Sequence, residues 1–234
     1  FFSISQSKEI SEIIINGNDK TKDYIIIREI HHPIPGMYNS KIADDDKNRI
    51  YNLNLFSSVN IDTMDNKYII DVSEKFYFFP LPIFDYDETT GSSYGAAILN
   101  INFRGHDETI ASGFIKGNSD QYFLYYLNPW IYGDHISFGF QYENLSANHH
   151  AYEIIDNMNI FELFSGFYIG NNHKFKFTAG YSSHQLDSNM GFIYKYLDTR
   201  LRYKYDTRDI YLDPTKGMLL NFKINNKIGL FKTE

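Results

Sequence analysis

Residues 173–181 read His173-Lys174-Phe175-Lys176-Phe177-Thr178-Ala179-Gly180-Tyr181, and this stretch decides the fold. Phe175, Phe177, Ala179 and Tyr181 alternate with Lys174, Lys176, Thr178 and Gly180. An extended strand turns that period of two into one apolar and one polar face. The same period recurs upstream, where Ile136, Phe138, Phe140 and Tyr142 alternate with Ser137, Gly139 and Gln141. It recurs downstream, where Leu201, Tyr203 and Tyr205 alternate with Arg200, Arg202 and Lys204. Alternation alone fits a soluble sheet with its apolar face on a core. It fits equally a membrane barrel with lipid on the apolar face and a wet lumen on the other.

Length separates the two cases. Gly95–Phe103, Glu108–Ile115, Tyr122–Trp130, His135–Glu143, Asn159–Gly170, His173–Tyr181, Thr199–Thr207 and Gly217–Ile228 each run eight to twelve residues, about what a tilted bilayer crossing requires. Globular strands average about five or six. The segments Asn118-Ser119-Asp120 and Asn171-Asn172 read as tight turns, whereas Leu145–Met158 and Ser182–Asp198 read as long polar loops. Short turns on one side and long loops on the other is a barrel pattern.

Composition agrees. Tyr and Phe number 20 each, and tyrosine suits an interface where the ring is apolar and the hydroxyl wet. The formal charge of −7 argues against nucleic acid as a partner. There is no cysteine, hence no thiolate metal site and no thiol chemistry. No run of about eighteen apolar residues could form a transmembrane helix, which leaves barrel strands open. The mean hydropathy of −0.40 fits either class.

The first part of the chain has a mixed pattern. Ile10 to Ile15 reads as a strand ending at the turn Asn16-Gly17-Asn18. Thr21 reads as the N-cap of a helix over Tyr24 to Ile30, although Ile25, Ile26 and Ile27 suit a strand as well. His31-His32-Pro33 and Pro35-Gly36 break the chain before a second helix, Ser40 to Phe56, with Asp44, Asp45 and Asp46 solvated at its start. Strands Val59–Thr63 and Tyr68–Ser73 follow, joined at Asp65-Asn66, which makes a compact α+β unit. Residues 1–8 read as a possible signal-peptide remnant or leader.

Several fragments, in order and spacing, resemble a known family. Ile13-x-Ile15-x-Gly17-Asn18, Thr21-Lys22-Asp23-Tyr24-Ile25-Ile26-x-Arg28-Glu29, and Asp46-x-x-Arg49-Ile50-Tyr51-Asn52-Leu53-x-Leu55-Phe56-x-x-Val59 look like a POTRA domain. Ser73 to Pro82, then Asn102-Phe103-Arg104-Gly105, Asn128-Pro129-Trp130 and Asp206-Thr207-Arg208-Asp209-x-x-x-x-Pro214-x-x-Gly217 resemble the barrel of BamA/TamA-type outer-membrane assembly proteins. The resemblance implies a POTRA domain over 9–75, a linker over 76–93, and over 94–234 the N-terminal half of an antiparallel transmembrane β-barrel of about eight strands. Two family features are missing. No Arg-Gly-aromatic loop motif is found, since Arg104-Gly105-His106 sits too early and lacks the aromatic, and the last residues are Lys232-Thr233-Glu234 rather than an aromatic end. Both absences imply a fragment.

The implied function is assembly or insertion of β-barrel proteins in the bacterial outer membrane, with the POTRA domain in the periplasm. Partners would be outer-membrane lipid, unfolded β-barrel clients and periplasmic accessory proteins. The candidate strand-addition edge is Val59, Asn60, Ile61, Asp62 and Thr63, a short strand after the second helix. The candidate seam strand is Gly95–Phe103, with Gly95, Ala97, Leu99, Ile101 and Phe103 among its residues and little packing at its glycine and alanines. Arg200, Arg202, Lys204 and Arg208 are candidate lumen charges, and Trp130 a candidate interface anchor. The pairs His31-His32 and His149-His150 read as solvated loop residues rather than metal ligands. Without a Gly-x-Ser-x-Gly elbow, phosphate-binding glycine loop or His-Glu-x-x-His, the chain is expected to be no enzyme and to hold no cofactor or metal. Two alternatives remain: a two-partner-secretion transporter for one passenger protein, and a soluble β protein with an α/β module. An upstream plug helix and second POTRA unit would favour the former; solubility without detergent would favour the latter.

Overall fold

Alternating Tyr68, Ile70 and Val72 bury one face of a strand, and the N-terminal α/β unit is built on that strand. The computed structural model describes residues 9–87, 91–117, 119–133, 135–148, 155–187 and 193–233, so the leader reading over 1–8 and the His149-His150 pair lie outside the described residues. The chain divides into two compact units. The first takes in the chain up to Tyr77 together with Arg104–Asp107 and Thr207–Gly217, and the second holds the rest.

In the first unit the elements are β1 (Glu9–Ile10), β2 (Glu12–Asn16), α1 (Asp23–Ile27), β3 (Gly36–Met37), α2 (Ser40–Asn52), β4 (Phe56–Met64) and β5 (Lys67–Glu74). β5 is central, parallel to β2 and antiparallel to β4, while β1 pairs with β3. The buried face of β5 meets Ile25 and Ile26 of α1, Ala43 and Ile50 of α2, and Phe56 and Val59 of β4. Each of the isoleucine, valine and phenylalanine side chains stabilises the fold by about 1.5–3 kcal/mol on full burial. That packing decides the ambiguous isoleucine run: as a helix it buries two of the three, with Ile27 left outside. Asn39 caps α2, its Oδ1 accepting from the amides of Lys41 at 3.0 Å and Ile42 at 3.3 Å.

Three local readings are corrected here. Thr21 is not the cap of α1. It is buried, its amide donates to Glu74 Oε1 of β5 at 2.6 Å, and the cap position is Lys22, with no side-chain cap on the helix amides. Asp46 is not solvated at a helix start but fully buried in the body of α2. His32 is buried as well. Its Nε2 accepts from the Asn39 amide at 3.0 Å and its Nδ1 faces the Pro33 carbonyl at 3.0 Å, which makes Nδ1 the protonated nitrogen.

The short segment Arg104–Asp107 completes this unit against α1. Lys22 N donates to the Gly105 carbonyl at 2.9 Å, Arg28 Nη2 lies 2.7 Å from Asp107 Oδ2, and Tyr24 Oη lies 2.8 Å from His106 Nδ1. Gly105 has φ +78°, and a Cβ there would sit 2.0 Å from the Lys20 carbonyl oxygen. Gly105→Ala is therefore expected to cost at least about 1–2 kcal/mol for the left-handed backbone alone, with displacement of the turn in addition. Hydrogen exchange at the Lys22 amide checks this: it should accelerate by tenfold or more in the variant and not at Ile25.

The second unit is one antiparallel sheet of nine strands in sequence order: β6 (Phe78–Asp87), β7 (Gly91–Phe103), β8 (Glu108–Gly117), β9 (Ser119–Tyr132), β10 (Ile136–Asn148), β11 (Ile155–Ile169), β12 (His173–Asp187), β13 (Ile193–Asp206) and β14 (Leu219–Thr233). Residues 78–87, read from the sequence as linker, are its first strand, so the sheet has nine strands rather than about eight. The expected long loops are largely ladder. Leu145 pairs with Met158, Asn148 with Ile155, and Ser182 with Tyr196. Backbone pairing needs no apolar side chain, so polar hairpin arms read as loop. Gly117 and Ser119 end their strands at the same end of the sheet as Asn148 and Asp187, which puts the tight connection there on the side of the longer ones.

Candidate functional site

The first candidate is a sheet edge. β4 has β5 as its one neighbour in the three-stranded sheet, so Val59, Asn60, Ile61, Asp62 and Thr63 stand on an edge strand. Val59 points into the core while Asn60 and Asp62 are exposed.

In the nine-stranded sheet the edges are β6 and β14. The seam reading for Gly95–Phe103 is corrected, because β7 is flanked by β6 on one side and β8 on the other. Its small residues serve close packing instead. A Cβ at Gly95 would lie 2.0 Å from the Phe114 carbonyl oxygen, and one at Gly113 would lie 2.7 Å from both Ala97 Cβ and the Phe123 ring.

Proline fixes the hydrogen-bond parity of the true edge. Pro80 and Pro82 have no N–H, so their pairs with Ile98 and Ala96 are the non-hydrogen-bonded kind. Phe79, Leu81 and Ile83 then exchange bonds with Leu99, Ala97 and Gly95, and the backbones of residues 78, 80, 82, 84 and 86 face the open side. Amide donors remain there at Phe78, Phe84 and Tyr86. Proline at alternate positions is an edge-strand signal in the sequence, and the linker reading missed it.

The two faces of the sheet differ sharply. On one, Phe167, Phe175, Tyr203 and Phe222 stand directly opposite one another across four strands, with successive ring centroids 5.2, 5.0 and 6.2 Å apart. The other face carries Lys174, Lys176, Arg200, Arg202 and Lys204. Arg200 donates to Glu162, and Lys174 Nζ lies 3.7 Å from Asp206. Arg208 is not part of this set: it lies in the first unit, donating to the Tyr211 carbonyl at 2.8 Å. Trp130 is not on the aromatic row either. Its ring stacks on His135 at 3.9 Å, which stacks on Tyr168 at 4.4 Å, and Lys174 of the polar face sits over Tyr168.

The Asp209 loop explains a motif that the sequence showed only as a resemblance. The Asp209 carboxylate accepts from Thr215 Oγ1 and from the amides of Ile210, Thr215 and Lys216 at 2.9, 3.0 and 3.2 Å, which holds its carboxyl well below the usual range. Asn52 of α2 brackets the same loop, donating to the Asp209 carbonyl at 2.9 Å and accepting from the Tyr211 amide at 2.8 Å.

Asp107 goes the other way. Burial, with a smaller push from Glu29, raises its carboxyl to about 7 against the pull of Arg28. The folded unit thus holds this proton more tightly than the unfolded chain does. The Asp107 contribution to stability is therefore greatest at low pH and is lost as pH rises from about 4 to about 7. Asp107→Asn is expected to remove that loss, and the difference in urea midpoint between about pH 4.5 and pH 8 should shrink relative to the parent. An unchanged difference would refute the assignment.

The family described as "POTRA: Surface antigen variable number repeat" matches residues 8–75. Among solved structures, BamA from Haemophilus ducreyi lacking POTRA domains 1–3 is similar at 17% identity and a TM-score of 0.67, over 95% of this chain and 48% of that one. CdiB from Acinetobacter baumannii is similar at 15% identity and a TM-score of 0.54, over 96% of this chain and 46% of that one. CdiB from Escherichia coli is similar at 9% identity and a TM-score of 0.54, over 95% and 45%. At these identities the likeness is one of fold, a POTRA module followed by an antiparallel barrel sheet. The chain spans about half the length of these structures. No curated protein matches it by sequence.

Proposed function

We propose that this chain acts in the bacterial outer membrane in the assembly of β-barrel proteins. A POTRA-type module in the periplasm receives unfolded clients or accessory proteins, with β4 as the edge to which they add. The observation that carries the reading is β6. Residues 75–77 connect β5 to a strand with one open side, at the edge of a sheet that has an aromatic face and a charged face. In lipid each unpaired peptide group costs several kcal/mol, so such an edge is covered by a further strand and is the place where a client strand can be templated. The role requires no chemistry and no cofactor. Greater fold agreement with the BamA barrel than with CdiB supports assembly over export.

Depletion in the native host is the test. Unrelated outer-membrane barrels are expected to fall together. Unchanged barrel levels with loss of a single exported protein would overturn assembly in favour of passenger export, the reading to which the CdiB likeness points.

A further inference from the structure

Among the described residues, the charged face of the sheet holds a row of cations with no ion pair to an acid of its own. Lys176 of β12 stands directly opposite Arg202 of β13, which stands directly opposite Lys223 of β14. Like charges facing one another on adjacent strands are destabilising, so three in a row work against the sheet. One position along, Arg200 is already committed to Glu162. These four cations and that single carboxylate line one cleft of about 110 Å³, together with Thr178 and other neutral polar or aromatic groups. Lys176 is fixed within it, its Nζ 3.8 Å from the centroid of the Phe164 ring.

We propose that this cleft binds a phosphate-type oxyanion. The volume suits one compact anionic group. Charge selects among such groups. After the Arg200–Glu162 pair, three positive charges remain on the lining, and a carboxylate would offset one of them where a phosphate monoester dianion offsets two. A planar guanidinium flanked by two ammonium groups also matches a tetrahedral oxyanion, which presents oxygens in several directions. The phosphate could be free or carried on a lipid headgroup. The site does not depend on the assembly role.

The test uses the full-length protein in zwitterionic detergent micelles at fixed ionic strength. Thermal unfolding is followed with inorganic phosphate replacing chloride, and separately with phosphatidic acid doped into the micelles. Phosphate should raise the midpoint in a saturable way, as mass action requires of a ligand for the folded state. Arg202→Gln should reduce apparent affinity tenfold or more. In chloride that variant should be at least as stable as the parent, since a repulsion is removed, so loss of response will not reflect misfolding. Lys195→Gln, at the far end of β13, should respond as the parent does. A response to inorganic phosphate identifies a free ion, and one to phosphatidic acid alone a lipid headgroup. Two results would overturn the site: phosphate and chloride indistinguishable with phosphatidic acid silent, or a full response in Arg202→Gln.

Discussion

Asp46→Ala is expected to remove about 3–5 kcal/mol from the first unit, the cost of breaking an ion pair whose carboxylate is fully buried and of leaving its donors unmatched. The carboxylate is fully buried. Its Oδ1 accepts from the His31 amide at 2.9 Å and from Arg49, and its Oδ2 accepts from the His32 amide at 3.2 Å and the Tyr68 hydroxyl at 3.0 Å. Burial first, then the adjacent carboxylate, push the Tyr68 phenol far up, so it stays protonated and keeps donating. One side chain thus ties α2 to the turn after α1 and to the central strand. Removing it strands three neutral donors and one cation. Tyr68→Phe, which deletes one donor and leaves the carboxylate its other partners, should cost only about 0.5–1.5 kcal/mol. Pulse proteolysis of the full chain across a urea series would measure both. A small module has a total stability of about 5–15 kcal/mol, so Asp46→Ala should leave it cleavable at low urea. A loss below about 1 kcal/mol would mean that water replaces the carboxylate.

Replacing Pro80 and Pro82 together with valine should have the largest effect on the proposed function. The open side of β6 now lacks amide donors at two successive outward positions and has them at Phe84 and Tyr86. An incoming strand can pair fully at the 84–86 end, but its carbonyls opposite the prolines find no donor. Valine restores both donors and suits a strand. At about 0.5–1.5 kcal/mol net per hydrogen bond, any strand covering this edge should be held tighter by about 1–3 kcal/mol, reducing the open fraction by a factor of about 5 to 150. The expected outcome is a barrel that unfolds on gels at a higher temperature while inserting clients more slowly in proteoliposomes. Equal insertion rates, with the gel shift present, would show that clients do not use this edge.

How much was legible in the sequence follows from what each signal depends on. The β12 pattern of Phe175, Phe177 and Tyr181 against Lys174 and Lys176 needs no partner to be read, because a period of two is local. Strand ends were not legible, since Ser182–Gln185 pairs through its backbone and carries no apolar mark. Asp46 hid among three aspartates of which it alone is fully buried, and its burial depends on Tyr68, 22 positions away. The β6 edge is written plainly in Pro80-Leu81-Pro82, but the resemblance makes that stretch a linker and passes over its missing donors. Arg208 matched a charged alternation that ends at Asp206, where the strand ends.

The strand order of the second unit bears on how it forms. Every strand from β6 to β14 pairs only with its neighbours in sequence. Each closure spans a single hairpin, so the entropy lost at each step is that of a short loop, and contacts of low sequence separation form fastest. Such a sheet can lengthen in hairpin increments from either margin. Deleting β13 and β14 as a pair should therefore yield a narrower sheet with β6 to β12 in their present register rather than a rearranged one. Growth by increments also places the proline-bearing strand at a margin from the moment it joins, its donor-poor side facing outward at every width thereafter.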